Sequence, residues 1–381
     1  MLPRTENVPA LPEVKVLVVG GAGFIGSTVA TACLENGITP VILDNLSTGR
    51  EEFTRGRIFY PGDMADGPLI DKIFAEHPDI QAVVHCAALI VVPESVAHPL
   101  RYYRENVAKS LDLVESVIRN GCTRLLFSSS ASIYQPGADF TVDETSPVEA
   151  LSPYARSKAM LEQMLEDVAR AYPLRVLSLR YFNPIGADPK LRTGLQVPRP
   201  THVLGRLIEA AQGGEEFPLT GTDWPTRDGS GIRDYVHVWD LARAHVLALR
   251  RFDSIFAADA GTYTVINLGT GDGTTVRELV TAFEQVLGHP VKVRETDRRP
   301  GDSAGTYTRS ERARELLGWT PTYSIADGIR DSLRWMAERD TVLGPQAGAD
   351  APTATVGAPP TDPHGPRGTD AVPAGSGPAP C

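Results

Sequence analysis

The stretch VKVLVVGGAGFIG, residues 14–26, decides how the rest of the chain is read. Val16, Leu17, Val18 and Val19 form an apolar run too short for a buried helix and rich in β-branched side chains, the pattern of a central parallel strand. Gly20, Gly23 and Gly26 follow at once. In such a turn the first glycine permits the bend, the second lets backbone N–H groups approach a pyrophosphate, and the third lets the next helix pack close on the strand. The helix opening at Phe24 and Ile25 then points its positive end at the phosphates.

The surroundings complete the pattern. A helix over 24–36 stops at Gly37, a second apolar strand covers 40–43, and Asp44 stands at its end, 18 residues past Gly26. A carboxylate there accepts from adenosine ribose hydroxyls and repels a 2′-phosphate, so the reading is NAD rather than NADP. Strand 58–60 leads to Gly62-Asp63-Met64, which places Asp63 at another strand end, where an adenine amino group could be read. Strand 82–86 ends at Cys86 and is followed by Ala87 and Ala88, small enough for a cofactor to lie close. Leu100, Tyr103, Val107, Leu111, Val114 and Ile118 predict one helix over 99–120 with a single apolar stripe, ended by Gly121. Strand 125–127 opens onto Ser128-Ser129-Ser130, a helix covers 153–171, and strand 176–181 ends at Tyr181.

Strands and helices alternate over about 180 residues, which argues for an α/β fold with a Rossmann-type doubly wound parallel sheet. Residues 14–183 are assigned to this NAD-binding domain, completed by a helix in 237–249 and a strand over 265–268 within 237–269. The Gly- and Pro-rich segment 184–236 and residues 270–338 are assigned to a smaller mixed α/β substrate-binding lobe, in which Thr275 and Glu278 make a capping box for helix 276–287. From 341 to 381 the composition is mostly Pro, Gly, Ala, Thr and Asp, too poor in apolar surface to order itself. Ending the chain after Asp340 is therefore expected to leave melting temperature and activity unchanged.

Bulk properties narrow the function classes. A chain of 381 residues, 42% hydrophobic, can bury a large core, and a net charge of −10 argues against non-specific binding to nucleic acid or an anionic membrane. No run reaches membrane-spanning length, and the first 13 residues lack the apolar core of a signal peptide, so the expectation is a cytoplasmic protein. Cys33, Cys86, Cys122 and Cys381 are dispersed without a C-x-x-C pair, and the eight histidines show no zinc spacing, so neither a disulfide framework nor a metal is expected.

Tyr154 and Lys158, in SPYARSK, are four apart near the start of a helix, so both project from one face. A tyrosine with a pKa near 10 must be depressed by roughly three units to act as a base near pH 7, about 4 kcal/mol. A cation about 5 Å away contributes around 3 kcal/mol at an effective dielectric near 20. Lys158 is thus barely sufficient alone, and the positive ring of NAD⁺ is the natural second cation. Ser130, on the serine-tipped strand, is placed to hydrogen-bond a substrate oxygen during proton transfer.

These motifs are similar to those of the extended branch of the short-chain dehydrogenase/reductase superfamily, and within it to the 4-epimerases of nucleotide sugars, over residues 14 to about 338. The resemblance rests on GGAGFIGS, LDNLSTG, GDM, VVHCAALIVVPES, YYRENV, FSSSASIY, SPYARSK, LRYFNPIGA, GTDWPTRDGSGIRDYVHVWDLA and RRPGD. It implies that Asp44, Asn45, Asp63, Met64 and Asn106 contact NAD, that Ser130, Tyr154 and Lys158 are catalytic, and that Asn183, Arg233, Arg299 and Asp302 hold the nucleotide diphosphate and ribose of a UDP-hexose. It implies that Thr306, four past Asp302, walls the sugar pocket, where a small residue leaves room for a 2-acetamido group; a one-residue shift of register would put Tyr307 there instead. It also implies a homodimer in which helices 99–120 and 153–171 pair across a two-fold axis. Some positions depart from the pattern: Ile90 stands where the family usually has Lys, Cys86 where it often has Phe, Gln135 where it usually has Gly, and His202-Val203 where Asn-Leu commonly contacts the uridine.

The implied reaction is C4 epimerisation of UDP-glucose and UDP-galactose through a 4-keto sugar. The alternatives are a 4-epimerase of another nucleotide sugar (a UDP-N-acetylhexosamine or UDP-uronic acid), a nucleotide-sugar 4,6-dehydratase, and a non-catalytic NAD-sensing protein. The dehydratases of this branch carry an acidic residue directly after the strand serine or threonine, where this chain has Ala131 and Ser132. A sensor would be free to lose Tyr154 and Lys158.

Overall fold

A computed structural model describes residues 14–197, 200–259, 261–298 and 303–344. Seven parallel strands form its central sheet: β1 Val14–Val19, β2 Ile38–Asp44, β3 Ile58–Pro61, β4 Ile80–His85, β5 Arg124–Ser130, β6 Arg175–Tyr181 and β7 Tyr263–Leu268. Their order across the sheet is β3-β2-β1-β4-β5-β6-β7, the doubly wound arrangement. The unbroken apolar run of β1 is explained by its two faces. Val16 and Val18 enter one core with Val29, Cys33 and Phe252, while Leu17 and Val19 enter the other with Ile70, Ile73, Leu113 and Val117.

Helices α1 (Phe24–Glu35) and α6 (Val238–Asp259) cover the first face. Helices α2 (Gly67–Glu76), α3 (Lys109–Arg119) and α4 (Pro153–Ala171) cover the second. Because β1 lies between β2 and β4, the connections leaving β1 and β4 depart to opposite sides and open a crevice at the carboxyl edge, where ligands of such sheets bind.

Residues from 185–235 and 279–329 share another apolar core, in which Leu204, Leu207 and Ile208 of α5 (Val203–Gly213) meet Leu279 and Phe283 of α7 (Val276–Leu287) and Ile329 of α8 (Ile325–Leu343). The Thr275–Glu278 capping box is present on α7, and Ser324 with Asp327 makes a second one on α8. Among the described residues no helix is long and apolar enough to cross a membrane.

One expectation is refined and one needs correction. The helix over 99–120 is continuous but widens: Pro99–Tyr103 runs through a π-type turn at Arg104–Ala108 directly into α3. Val107 and Val114 of the expected stripe are buried, while at its N-terminal end Tyr102 is buried and Leu100 is left 77% exposed. The tail boundary also moves, since α8 runs to Leu343, which is buried with Phe53 and Trp335 and whose carbonyl accepts from Arg50 at 2.9 Å. Ending the chain after Asp340 is therefore expected to cost about 2 kcal/mol, the burial of one leucine, and to lower the melting temperature by several degrees. Calorimetry of that truncation against the full chain checks it; an unchanged melting temperature would show that α8 ends effectively at Asp340. Residues 345–381 lie outside the described residues.

Candidate active site

The glycine-rich turn is shaped first by its own backbone. Gly20 has φ +80°, and a Cβ on it would lie 2.6 Å from Ala87 N in the backbone after β4, which explains why position 20 carries no side chain. A Cβ on Gly26 would lie 2.1 Å from Gly20 O, whereas on Gly23 it would meet nothing nearer than that oxygen at 3.5 Å. No side chain caps the N-terminus of α1 and its first turn has no acidic residue, so the N–H groups at Phe24, Ile25 and Gly26 are left for an anion. This cradle fits the diphosphate of a dinucleotide.

Asp44 is 8% exposed, and its carboxylate is engaged by the backbone. It accepts from Ala22 N at 2.9 Å and Leu46 N at 2.8 Å, tying the end of β2 to the glycine-rich turn. Burial raises its pKa against the pull of those two amides. Asn45 donates to Asp63 at 3.2 Å, and Asp63 also accepts from Ala65 N and, at 2.7 Å, from Lys109. Burial pushes the Asp63 carboxyl up, but these donors outweigh it and hold it below the usual range. Met64 is buried beside them. Lys109, which also pairs with Glu105 at 2.8 Å, escaped the sequence reading; its spacing of three from Asn106 was the available signal.

Asn106 occupies the wide turn and is buried. Its amide accepts from Leu89 N at 2.8 Å and donates to Leu89 O at 2.9 Å and Ser157 Oγ at 3.0 Å. These three bonds tie the 87–91 loop to α4 through Asn106. Ala88 lies in that loop, where Ile90 is 65% exposed.

At the end of β5, the Ser128 carbonyl accepts from Lys158 Nζ at 2.8 Å, and the same ammonium lies 4.8 Å from the Phe127 ring centroid. Lys158 is 4% exposed, and burial pulls it down to about 8 against the opposing influence of Cys86 and Glu162. Ser128 Oγ donates to Cys86 Sγ at 3.3 Å, and burial pushes that thiol up to about 11. Ser130 Oγ donates to Ser132 Oγ at 2.9 Å and accepts from Ser132 N, which turns the chain away from β5. Burial raises Tyr154 above its ordinary value and the Ser130 hydroxyl draws it back. Tyr181, at the end of β6, is raised further by burial and faces Cys86, Ser128 and Tyr154. One cluster thus contains Cys86, Ser128, Ser130, Tyr154, Lys158 and Tyr181.

Asn183 begins the short strand Asn183–Ile185, which pairs with Tyr235–His237. Arg233 donates to Ile232 O at 2.8 Å, Ala304 O at 2.7 Å and Ser303 O at 3.1 Å, fastening the segment that carries Thr306. The Tyr307 ring packs over Gly273 and near Ile232. His202 caps α5, with Val203 as its first residue, by accepting from Gly205 N at 3.2 Å. Burial lowers His202 to about 4, so the ring is neutral with its proton on Nε2, in an apolar cavity lined by Phe24, Leu195 and Trp335. Arg299 and Asp302 lie outside the described residues.

A doubly wound sheet with an uncapped glycine-rich turn after β1, and with serine at the end of β5 beside tyrosine and lysine of α4, marks a dinucleotide-dependent enzyme. Residues 16–269 match the NAD dependent epimerase/dehydratase family, and the chain belongs to that family. The UDP-glucose 4-epimerase of Azospirillum brasilense is 42% identical over 354 residues, 92% of this chain and 99% of that one. That of Bacillus subtilis is 40% identical over 84% of this chain and 96% of its own. Among solved structures, UDP-glucose 4-epimerase from Bifidobacterium longum in complex with NAD⁺ and UDP superposes with a TM-score of 0.80 at 34% identity, covering 86% of this chain and all of that one.

Proposed function

We infer that this chain interconverts UDP-glucose and UDP-galactose by NAD-dependent epimerisation at C4. The observation that carries the reading is the convergence of Ser130, Tyr154 and Lys158 beside the uncapped turn of α1. Gly20, Gly23, Gly26, Asp44, Asn45 and Asp63 would hold NAD, which when bound supplies the acceptor and donor of the C4 hydride. Tyr154 takes the 4-hydroxyl proton at its phenolic oxygen, Ser130 holds the sugar oxygen in line, and Lys158 keeps a positive charge behind the phenolate. The resulting 4-keto sugar turns over, and its oxygen would take the proton back from Tyr154 as the hydride is restored to the other face of C4. Turning requires firm grip on the nucleotide and weak grip on the hexose, which suits anchors such as Asn183 and Arg233 outside the catalytic cluster.

The dehydratase alternative is weakened further by the turn at Ala131–Ile133, where Ser132 is bound to Ser130 and no carboxylate follows the strand. Incubating the purified protein with UDP-hexoses and no added cofactor tests the main reading; 4-epimers are expected, and their absence with cofactor supplied would overturn it. Thr306 is small, and the Tyr307 ring is taken up against Gly273, which supports a pocket open to a 2-acetamido group. UDP-N-acetylglucosamine is expected to react with kcat/KM within about tenfold of UDP-glucose, and Thr306→Tyr to abolish that activity alone. A wild type inert on the acetamido sugar refutes the assignment of Thr306.

A cytoplasmic homodimer completes the proposal. Cys33, Cys86 and Cys122 are free thiols. Met160 and Met164 on α4 are 42% and 37% exposed, and Leu100 of the neighbouring Pro99–Tyr103 segment is more so, an apolar face suited to a two-fold partner. Light scattering is expected to give twice the 41.0 kDa chain mass; a monomer at micromolar concentration would rule the dimer out.

A further inference from the structure

Tyr154 and Lys158 are the first two members of a longer series. Glu162 follows at the same interval of four on α4, only 5% exposed, with both oxygens engaged. Arg180 donates to it through Nε at 2.9 and 3.1 Å and through Nη2 at 2.5 Å, a fork on a carboxylate. Ser129 Oγ donates to the same carboxylate. Ser129 and Arg180 are register partners on β5 and β6, and Arg180 and Asn267 are register partners on β6 and β7. Tyr134 closes the row: it accepts from Arg180 Nη1 at 2.7 Å and donates to Asn267 Oδ1 at 2.7 Å.

One polar row therefore crosses three strands at the level just below Ser130 and Tyr181. Three consecutive serines are all tied to α4 or its catalytic side chains: Ser128 through its carbonyl to Lys158, Ser129 to Glu162, and Ser130 beside Tyr154. A buried ion pair is weak evidence for stability, since a well-packed apolar substitute often does as well. Its place one helical turn behind Lys158 asks for another reason.

We propose that Glu162, clamped by Arg180 and Ser129, is a positioning residue for proton transfer at Tyr154, seating the serine end of β5 and fixing a negative charge one turn from the Lys158 ammonium. The inference rests on the epimerase reading above. The groups facing Lys158 are Glu162 and, one turn away, Tyr154 on its own helix, His85 and Cys86 from the end of β4, and Phe127 and the Ser128 carbonyl from β5, while Tyr263 of β7 faces Glu162. Glu162 is the carboxylate of that set. It favours the charged lysine against burial, while Arg180 prevents Glu162 from being an uncompensated charge itself.

The test is the pH profile of kcat/KM for UDP-glucose. Glu162→Gln leaves Arg180 unpaired and could unfold the chain, so the informative variant is Glu162→Gln with Arg180→Met, which removes both charges together. Its alkaline limb is expected to move down by about one pH unit, with kcat reduced at least tenfold and KM within about twofold. Glu162→Asp, which keeps the charge, should retain the wild-type limb even where kcat falls. A folded double variant with the wild-type profile overturns this inference alone. A wild type inactive on UDP-hexoses overturns the epimerase reading and this inference with it.

Discussion

Tyr154→Phe should lower kcat for UDP-glucose epimerisation by 10²- to 10⁴-fold, the usual worth of a positioned acid/base, while NAD content and UDP affinity stay within about twofold of wild type. The substitution removes one oxygen and keeps the ring on the first turn of α4, so the cradle at Gly20–Gly26 and the anchors at Asn183 and Arg233 are untouched. The expectation is strict because the protein alone does not make Tyr154 a base. Burial raises it above its ordinary value, the wrong direction, and the Ser130 hydroxyl offsets only part of that. A phenolate near pH 7 needs Lys158 and a second cation together. Single-turnover kinetics with UDP titration in parallel measures both quantities. More than a few per cent of the wild-type rate would remove Tyr154 from the role of base, and an equal loss of UDP binding would make it a structural residue.

Which parts of this site could be read in advance follows from how local their signals are. Val16 to Gly26 carries its meaning within one strand, one turn and one helix, and the structure adds only the reason for each glycine. Tyr154 and Lys158 are legible because a helix converts a spacing of four into a shared face. The pairing of Thr275 with Glu278 is legible for the same reason. The row of Ser129, Glu162, Arg180, Tyr134 and Asn267 is different: its bonded partners lie up to 133 residues apart, and only the strand register brings them together. Even so, Glu162 could have been suspected by extending the interval of four once more. The π-type turn at Arg104–Ala108 has no sequence signal, since RENVA contains neither Gly nor Pro. Leu343 was lost to a composition argument, because one apolar residue at the end of a polar helix does not register against the Pro- and Gly-rich residues beyond it. Asp44 was placed correctly at its strand end, but a carboxylate has more acceptor capacity than one ligand uses, and its bonds to Ala22 and Leu46 depend on a loop conformation no spacing encodes.

Lys158→Met should abolish activity and at the same time make the ligand-free protein more stable. In the native state burial holds Lys158 near 8, below the ordinary lysine value of about 10.4 that applies to the unfolded chain. Between those two values the unfolded chain binds more protons, so this residue makes stability rise with pH from about 8 to 10.4, and its full cost is present below 8. A difference of that size corresponds to roughly 3 kcal/mol at pH 7. The bond to the Ser128 carbonyl, lost on substitution, is worth about 1 kcal/mol or somewhat more in the other direction. Methionine fills the buried channel past Phe127 without a charge. The expected balance is a gain of about 1–2 kcal/mol, read as a melting temperature a few degrees higher at pH 7 and a gap from wild type that closes toward pH 10. Activity should fall at least 10²-fold, since the phenolate of Tyr154 loses the only lysine ammonium in its cluster. Melting curves at pH 7 and pH 10 for both proteins decide the stability half. A variant less stable than wild type at pH 7 would mean that Lys158 is kept for its bond to β5, whereas a variant that is more stable and inactive would mean that the chain carries an unfavourable buried charge because the chemistry requires it.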